Sequence, residues 1–373
     1  MAKIGFLSHS DLSVYYFRAP IMRALAARGH EVYAIIPKGA YSDRVANEFP
    51  TVIYELDKAS LNPLRVGRDT KALADALRPL NLDLLQTAAH KSNVFGTFAA
   101  RAAGVKHVLN LVEGLGSFYI HNDLKSRIIR FVIEQLYKKA LSMGEACVFV
   151  NDSDPDYMVS KGLIAPGKVV RIKSVGVNAS EFDPAKVAPE DLGLGDKKIV
   201  LMIGRALWDK GVREFYEAAE LLSSRKDVRF VFVGEGYAGN PSSANEDFLK
   251  NPHVTWIRWS DRVKEILRAA YIYALPSYKE GFPRTVLEAM SMEVACVVSN
   301  CDGCVEAIED GQTGLICAMR DATDLARKIE VLLDDSNLTR KMGKRAREVV
   351  LERYDEPKVV AQYLELYGRF IDV

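Results

Sequence analysis

Two glutamates, Glu280 and Glu288, lie eight positions apart around the turn Gly281-Phe282-Pro283. Proline is favoured in the first turn of a helix, and residues 285–292 fit a helix, so Glu280 precedes it and Glu288 lies inside it. A helix start offers unpaired N–H groups to a phosphate, and carboxylates accept paired hydrogen bonds from vicinal hydroxyls. The segment therefore has the chemistry to hold a nucleotide sugar, although a capped helix with two surface glutamates fits the same spacing.

Two cations form a second candidate group. Arg205 and Lys210 lie in Gly204-Arg205-Ala206-Leu207-Trp208-Asp209-Lys210-Gly211, directly after a predicted strand over 198–203. A guanidinium and an ammonium at that position can neutralise a diphosphate and stabilise its departure. A solvated loop with two cations is the alternative.

A third loop, Asn300-Cys301-Asp302-Gly303-Cys304-Val305-Glu306, follows a predicted strand over 294–299. Its Cys-x-x-Cys spacing lacks the second cysteine pair or nearby histidine that a zinc site needs. We predict a turn with free thiols and backbone N–H groups facing the same ligand.

Short β-branched runs alternate with amphipathic stretches along the whole chain. The predicted strands are 4–8, 31–36, 82–86, 107–112 and 146–150, then 198–203, 228–233, 254–257, 272–275 and 294–299. The predicted helices of the first series are 15–28, 66–78, 95–103 and 124–141, and a last helix covers 354–370. Two successive series predict an α/β protein of two doubly wound, Rossmann-like domains, joined within 174–196. Ligands of such sheets bind beyond the carboxyl ends of the strands, where the three loops lie.

The composition is that of an ordinary globular protein, with 49% apolar and 27% charged residues among 373. No apolar run is long enough to span a bilayer, and the N-terminus lacks a signal-peptide cleavage pattern. Five cysteines, an odd number, indicate thiols in a reducing compartment, which predicts a cytoplasmic protein.

Charge is unevenly distributed along the chain. Residues 1–175 carry 23 Lys and Arg against 16 Asp and Glu, and the remainder carries 27 against 33. The basic first half suggests an anionic partner, either a membrane surface or a diphosphate-bearing acceptor. We predict no nucleic-acid partner, because no basic tract with interleaved aromatic residues is present. Arg127, Arg130, Glu134 and Lys138 share one helical face, which fits either anionic lipid or a solvated surface.

The order of these motifs, followed by Asp310-Gly311-Gln312-Thr313-Gly314-Leu315, resembles the donor domain of the retaining GT-B glycosyltransferases with a paired-Glu signature. The resemblance implies domains at 1–178 and 179–354, with a final helix over 355–373 packed on the first. It implies that Glu280 holds hydroxyls of the transferred sugar, Glu288 the ribose diol, and Arg205 and Lys210 the diphosphate, without a metal. The implied donor site comprises Arg205, Lys210, Glu280, Gly281, Phe282, Pro283, Leu287 and Glu288.

Segments of the first half narrow the resemblance to a subgroup active in bacterial N-linked protein glycosylation. They are 4–9, 16–18, 88–93 and 112–119, together with Lys173-Ser174-Val175-Gly176 and, from the second half, Tyr278-Lys279-Glu280-Gly281-Phe282-Pro283. The subgroup implies UDP-GalNAc as donor, a polyprenyl-diphosphate-linked diacetylbacillosamine as acceptor, and peripheral contact with the cytoplasmic face of the inner membrane. Residue spacing alone fits GalNAc and GlcNAc equally.

Four residues are acceptor-side candidates: Ser10, His90, Lys91 and Glu113. The loop 9–13 lacks the glycine pair that many relatives have there. Glu113 occupies a position at which many relatives carry histidine, so the role of that histidine in the family is not assigned to Glu113. Glu113 either binds an acceptor hydroxyl or amide, with a part in catalysis, or hydrogen-bonds turn amides. His90 either contacts the acceptor diphosphate or caps a loop.

Three other functions are alternatives for a chain of this kind. A nicotinamide dehydrogenase needs Gly-x-Gly-x-x-Gly after the first strand, which this chain lacks at 8–13. A glycosyltransferase of capsule or lipopolysaccharide synthesis, and an inactive nucleotide-sugar-binding protein, both remain compatible with the sequence.

Asp152-Ser153-Asp154 resembles a metal-binding Asp-x-Asp motif, but Pro155 after Asp154 favours a helix N-cap at Asp154.

Overall fold

A computed structural model describes residues 1–55, 63–120, 123–236, 240 and 242–373. The chain divides into two compact units, one of Met1–Val175 with Pro357–Val373, the other of Gly176–Glu356.

The first unit is built on a parallel sheet of seven strands in the order β3-β2-β1-β4-β5-β6-β7. The strands are β1 Lys3–Ser8, β2 Glu31–Ile36, β3 Thr51–Ile53, β4 Leu84–Ala88, β5 His107–Val112, β6 Ala146–Phe149 and β7 Val169–Arg171. Sequence periodicity missed β3 and β7 because three residues are too few to show a pattern. The inner strands are almost fully buried, as expected of a sheet covered on both faces.

Helices of the first unit connect these strands. They are α1 Asp11–Ser13, α2 Ala19–Ala26, α3 Ser42–Ala46, α4 Pro63–Leu77, α5 Thr97–Ala103, α6 Leu124–Met143 and α7 Ser153–Ser160. The single helix predicted over 15–28 is instead α1, a π-helical turn Val14–Arg18 and α2, which has a proline in its first turn. The N-cap of α7 is Asp152, so the prediction that Asp154 caps this helix was wrong; Asp154 is buried within its first turn.

The second unit has a parallel six-stranded sheet in the order β10-β9-β8-β11-β12-β13. The strands are β8 Lys198–Ile203, β9 Val228–Val233, β10 Val254–Ile257, β11 Ile272–Leu275, β12 Ala295–Ser299 and β13 Gly314–Cys317. Its helices are α8 Val212–Leu221, α9 Glu246–Leu249, α10 Val263–Ala269, α11 Arg284–Ser291, α12 Cys304–Ala307, α13 Ala322–Asp334 and α14 Ser336–Val349. The strand β13 was not predicted.

The last helix, α15 Glu356–Tyr367, packs in the first unit. The ring of Tyr367 lies 6.2 Å from that of Phe6 in β1, and its hydroxyl donates a hydrogen bond of 2.7 Å to Gln86 in β4. These contacts attach the end of the chain to the two central strands of the first sheet.

Both sheets reverse their strand order at the centre, between β1 and β4 and between β8 and β11. Parallel strands present their carboxyl ends at one edge, and the reversal opens a crevice there. In the second unit this brings the loops after β8, β11 and β12 to the same edge.

Candidate functional site

Main-chain hydrogen bonds join the three loops at this edge of the second unit. The Tyr278 N–H, after β11, donates to the Asp209 carbonyl, after β8, at 2.9 Å. The Glu280 N–H donates to the Asp302 carbonyl, after β12, at 3.1 Å. The predicted candidates from three separate sequence segments therefore belong to one connected structure.

Two glycines allow these loops to approach closely. Gly211 and Gly303 have φ values of +76° and +78°, which side-chain-bearing residues rarely adopt. A Cβ at Gly303 would lie 2.5 Å from the Gly281 carbonyl oxygen, and one at Gly211 would lie 2.0 Å from that of Pro276. Glycine is therefore needed at both positions for backbone conformation and for space.

Lys210 and Glu280 form an ion pair, with 2.6 Å between Nζ and Oε1. Both side chains are largely shielded, at 21% and 11% exposure. Glu280 lies in the loop before α11, as predicted. The structure thus brings together a residue predicted to bind diphosphate and one predicted to bind the sugar.

Glu288 lies inside α11 and is paired with Arg284, whose Nε donates to Oε1 at 2.9 Å. Burial raises the pKa of the Glu288 carboxyl, and the Arg284 guanidinium opposes this shift. Sequence reasoning missed Arg284 as a site residue, although its spacing of four from Glu288 is that of a helical ion pair. Pro283 is the N-cap and not the first helical residue, so the helix begins one position later than its proline suggested.

The remaining donor candidates differ in their surroundings. Arg205 is exposed directly after β8, and among the described residues it forms no ion pair with Glu280 or Glu288. The Phe282 ring packs on Tyr354 at 5.2 Å, and the Leu287 side chain is fully buried in the core of the second unit. The structure therefore joins Lys210 to Glu280 directly but does not join Arg205 to them.

The cysteines are free thiols, all five of them buried. Hydrogen bonding between Cys301 and Cys304 lowers the pKa of the Cys301 thiol and raises that of Cys304. Cys304 is the first residue of α12, next to the Glu280 loop. Within the described part of the chain, no cluster of three or more His, Cys, Asp or Glu side chains is arranged to hold a metal ion.

In the first unit, Glu113 follows β5 and accepts a hydrogen bond of 2.7 Å from Arg18 Nη2. Arg18 is 1% exposed and Glu113 is 25% exposed, so a buried guanidinium holds a carboxylate that is partly exposed at the surface. Burial is the largest influence on the pKa of Arg18 and acts to lower it, but Glu113, Tyr363 and Tyr367 together outweigh burial, so the pKa is raised. The ring of Tyr363, in α15, lies 6.0 Å from this guanidinium. Arg18 was not predicted as a site residue.

His90 follows β4 and lies 2.9 Å from the Tyr137 hydroxyl through Nδ1. Burial lowers the pKa of His90 to about 4, so the imidazole is neutral at physiological pH. Lys91 comes next, before the π-helical turn Ser92–Gly96, and Ser10 is the extended N-cap of α1. All three follow the carboxyl ends of the adjacent strands β1 and β4.

Comparison with known proteins gives a consistent assignment. Residues 3–150 match the family model of glycosyl transferase 4-like proteins, and residues 186–349 match glycosyl transferases group 1. The N,N'-diacetylbacillosaminyl-diphospho-undecaprenol alpha-1,3-N-acetylgalactosaminyltransferase of Campylobacter jejuni is 44% identical over 99% of both chains. The chain belongs to the GT-B glycosyltransferases.

Other relatives are more distant. The UDP-Gal:alpha-D-GlcNAc-diphosphoundecaprenol alpha-1,3-galactosyltransferase of Escherichia coli is 26% identical over 80% of this chain and 79% of its own. A glycosyltransferase structure from Rickettsia africae has a TM-score of 0.80 at 21% identity, covering 99% and 98% of the two chains. Anabaena HepE, solved with UDP and glucose, has a TM-score of 0.79 at 17% identity, covering 99% of this chain and 100% of its own. These structures confirm the predicted fold of two Rossmann-like domains.

The protein is therefore a hexosyltransferase. None of the helices in the described residues combines the length and apolar character needed to cross a bilayer.

Proposed function

We propose that this glycosyltransferase moves GalNAc from UDP-GalNAc to the 3-hydroxyl of diacetylbacillosamine carried on undecaprenyl diphosphate, in protein N-glycosylation. The supporting observation is the 44% identity, over 99% of each chain, to the Campylobacter jejuni enzyme with the corresponding name. The related Escherichia coli galactosyltransferase is also named for a sugar on diphosphoundecaprenol. Both names describe transfer to a lipid-linked monosaccharide.

The donor is held by the connected loops of the second unit. The UDP diphosphate takes positive charge from Arg205 and Lys210 and hydrogen bonds from the N–H groups at the start of α11. Glu288 accepts hydrogen bonds from the ribose diol, and Glu280 from hydroxyls of the sugar, supported by the loop residues Gly281, Phe282 and Pro283. The Leu287 side chain only stabilises α11 from inside, because it is buried in the core.

The ion pair between Lys210 and Glu280 links leaving group and sugar. With 2.6 Å between them, one ammonium can hold the Glu280 carboxylate in place and also donate a hydrogen bond to the diphosphate. As the glycosidic bond breaks, negative charge grows on the diphosphate, and fixed cations stabilise it. We propose that these cations take the role that a divalent metal has in other transferases.

Retention at the anomeric carbon is part of this proposal. The acceptor hydroxyl attacks from the face that the diphosphate leaves, and a diphosphate oxygen receives its proton. The bond from C1 to the UDP oxygen breaks, and the bond from C1 to the acceptor oxygen forms. The charge on the oxocarbenium-like sugar is stabilised by the departing diphosphate.

The acceptor is assigned to the first unit. Glu113, held by the buried Arg18, accepts a hydrogen bond from an acceptor hydroxyl or amide. Ser10, His90 and Lys91 follow β1 and β4, where a second diphosphate can be bound by hydroxyl, imidazole and ammonium donors. A polyprenyl-linked acceptor also requires the enzyme to work at the cytoplasmic face of the inner membrane as a peripheral protein.

The test is a donor screen with purified protein. UDP-GalNAc, UDP-GlcNAc, UDP-Gal and UDP-Glc are each supplied with polyprenyl-diphosphate-linked diacetylbacillosamine, and UDP release and product anomericity are measured. We expect UDP-GalNAc to be preferred, the product to be α-linked, and EDTA to leave the rate unchanged. A β-linked product, or a rate abolished by EDTA and restored by a divalent cation, would contradict the proposed mechanism.

A second candidate is transfer of another hexose in capsule or lipopolysaccharide synthesis. The Escherichia coli relative is named for UDP-Gal and a GlcNAc acceptor, which favours the part of this alternative that concerns another hexose. Preference for UDP-Gal and a GlcNAc-linked lipid in the same screen would support this alternative. UDP binding without release from any donor would instead indicate a nucleotide-sugar-binding protein without activity.

A further inference from the structure

The outward face of α6 is apolar. Four large hydrophobic side chains lie on it at spacings of four, three and one: Leu124, Ile128, Phe131 and Val132, with exposures of 71, 57, 62 and 50%. At 100° per residue these positions form one stripe along the first three turns. We call these four residues the α6 stripe.

The inward face of α6 already has its own core contacts. Tyr137, Ala140 and Leu141 are buried against the first unit, on the side opposite the α6 stripe. The only carboxylate within the helix, Glu134, accepts a hydrogen bond of 2.7 Å from the Tyr157 hydroxyl. The α6 stripe is therefore an additional apolar surface, exposed to solvent, and no acidic side chain of the helix lies within it.

Cations surround the α6 stripe. Lys125 is exposed on one side of it and Arg127 on the other, and Lys138 and Lys139 are exposed beyond its end. Phe118, just before the helix, is 40% exposed, and its carbonyl accepts hydrogen bonds from Arg130. An apolar stripe edged by Lys and Arg is the pattern of a helix that lies in the interface of an anionic membrane.

We propose that the α6 stripe is the membrane-docking surface of this protein. Its hydrophobic side chains enter the boundary between headgroups and acyl chains, and the surrounding Lys and Arg bind the headgroup phosphates of anionic lipid. This proposal rests on the proposed function, in that a lipid-linked acceptor requires docking, and it assigns the docking to one helix.

Charge argues for a bilayer over a second copy of the chain. In a symmetric dimer the same patch faces itself, so the cations around one α6 stripe would meet those of the other. An anionic bilayer instead provides opposite charge beside an apolar layer.

Vesicle binding tests the proposal. The full-length protein is mixed with vesicles of phosphatidylcholine alone, or of phosphatidylcholine with phosphatidylglycerol, and bound protein is measured by flotation. We expect binding to the anionic vesicles, weakened by salt, and loss of at least about tenfold in affinity for Ile128→Gln with Phe131→Gln, since two large apolar groups no longer enter the bilayer. The matched control is Leu221→Gln with Val331→Gln, two exposed apolar residues of the second unit, and it should bind as the wild type does.

A second variant tests the charges. Arg127→Gln with Lys138→Gln should weaken binding to anionic vesicles about fivefold for each cation removed. Lys341→Gln with Lys344→Gln, exposed cations of the second unit, should have no effect. All four altered side chains are exposed, so circular dichroism should show unchanged folding.

Activity assays separate this proposal from the proposed function. With a short-chain, water-soluble acceptor, the variant Ile128→Gln with Phe131→Gln should turn over at the wild-type rate. With undecaprenyl acceptor embedded in vesicles, the same variant should turn over more slowly than the wild type. If the wild type transfers no GalNAc, the proposed function fails, and flotation still decides the docking surface.

Two results would overturn the docking surface. One is equal flotation of wild type and both α6 variants. The other is a wild-type dimer in solution that becomes monomeric in the α6 variant while vesicle binding is unchanged, which would assign the α6 stripe to a second copy.

Discussion

Lys210 and Glu280 illustrate what single residues contribute to this site. The two residues lie in different loops, yet their side chains form an ion pair at 2.6 Å that is largely shielded from solvent. The second glutamate, Glu288, has a different partner, Arg284, at 2.9 Å. Two carboxylates that look equivalent in the sequence therefore have separate electrostatic surroundings, which is consistent with separate ligand contacts.

The first prediction concerns this division. Glu280→Gln should lower kcat by about 10²–10³, a magnitude typical for removing one charge-stabilising group, while leaving the affinity for UDP nearly unchanged. UDP lacks the sugar that Glu280 is proposed to hold. The rate is measured by UDP release and the affinity by calorimetry.

The exposed Glu217, on α8, provides a matched control, because Glu217→Gln removes one carboxylate of the same unit away from the loops. Equal losses of UDP affinity and turnover in Glu280→Gln would refute the separate roles of the two glutamates.

The second prediction concerns His90 and acid stability. Its folded pKa of about 4 lies below the ordinary value of 6.5, so the folded state resists protonation that the unfolded state accepts. The contribution of the neutral His90 to the free energy of unfolding is therefore complete above about pH 6.5. It decreases as pH falls toward 4, by at most about 3 kcal/mol in all. His90→Gln should reduce this loss in urea unfolding at pH 7 and pH 5. An identical pH dependence in wild type and variant would exclude His90 as the cause.

At the scale of elements, the site depends on loops that approach closely at glycine. The turn before α12 passes over the Glu280 loop at Gly303, where the Gly281 and Glu280 carbonyl oxygens leave no room for a Cβ. The position of Glu280 therefore depends on a neighbouring turn, from which the sequence predicted ligand contacts by backbone N–H groups and by no side chain.

The third prediction compares two glycines with similar backbone angles. Gly303→Ala should destabilise the protein by about 1–3 kcal/mol or more and weaken UDP binding, because both strain and a clash displace the loop. Gly311 has φ of +74° but nothing within 4 Å of an added Cβ, so Gly311→Ala carries only the backbone strain. Thermal unfolding and UDP calorimetry of the two variants should separate them; equal UDP affinities would mean that the close approach is not needed.

The turn containing Arg18, the end of β5 and α15 meet around one guanidinium in the first unit. Among the described residues, its Nε and Nη1 atoms have no hydrogen-bond partner, and Nη2 donates to Glu113. A buried cation with incomplete hydrogen bonding costs desolvation energy. We therefore infer that the Arg18 guanidinium serves to position Glu113 and adds little to the stability of the unit.

The fourth prediction follows from this argument. Arg18→Met keeps an apolar side chain in the buried space and leaves Glu113 unpaired. Because the Glu113 side chain is 25% exposed and can be hydrated, the free energy of unfolding should fall by less than the roughly 3–5 kcal/mol typical of breaking a fully buried ion pair. The substitution should raise KM for the acceptor while UDP affinity stays unchanged. Kinetics with varied acceptor, together with urea unfolding, provide the measurement. A large loss of stability without a kinetic change would make Arg18 purely structural.

At the scale of the whole molecule, the chain has two units of opposite charge. The first half has the excess of basic residues and also carries the α6 stripe, whereas the second half is acidic overall but contains Arg205 and Lys210. Because the rest of the second unit is acidic, Arg205 and Lys210 attract a diphosphate to one local position. The excess positive charge of the first half is spread more widely and attracts an extended anionic surface.

The fifth prediction places the donor in one unit. UDP should slow amide hydrogen exchange in the loops 204–211, 276–288 and 300–306 of the second unit, because ligand binding stabilises the closed local state. The loops 9–13 and 88–93 of the first unit provide the internal comparison and should change less. Protection confined to the first unit would overturn the donor assignment.

The sequence by itself determined the fold class and the family. Strand and helix periodicity, repeated in two series, is a local property that burial imposes on each element, so it predicted ten of the strands and the doubly wound architecture. The order of the loop motifs, from Arg205 to Leu315, carried the resemblance that comparison with known proteins confirmed. The three-residue strands β3 and β7, the four-residue strand β13 and the π-helical turn were not predicted, because they are too short or too irregular to leave a periodic signal.

Only the tertiary structure decided which side chains meet. Arg18 and Glu113 are 95 positions apart, and Lys210 and Glu280 are 70 apart, so their pairing depends on strand order and loop approach. The α6 stripe shows the same limit: its helix was predicted, but two apolar faces look alike in a sequence. Which face packs inward is decided by the neighbours of the helix in space, since burial is a property of the assembled unit.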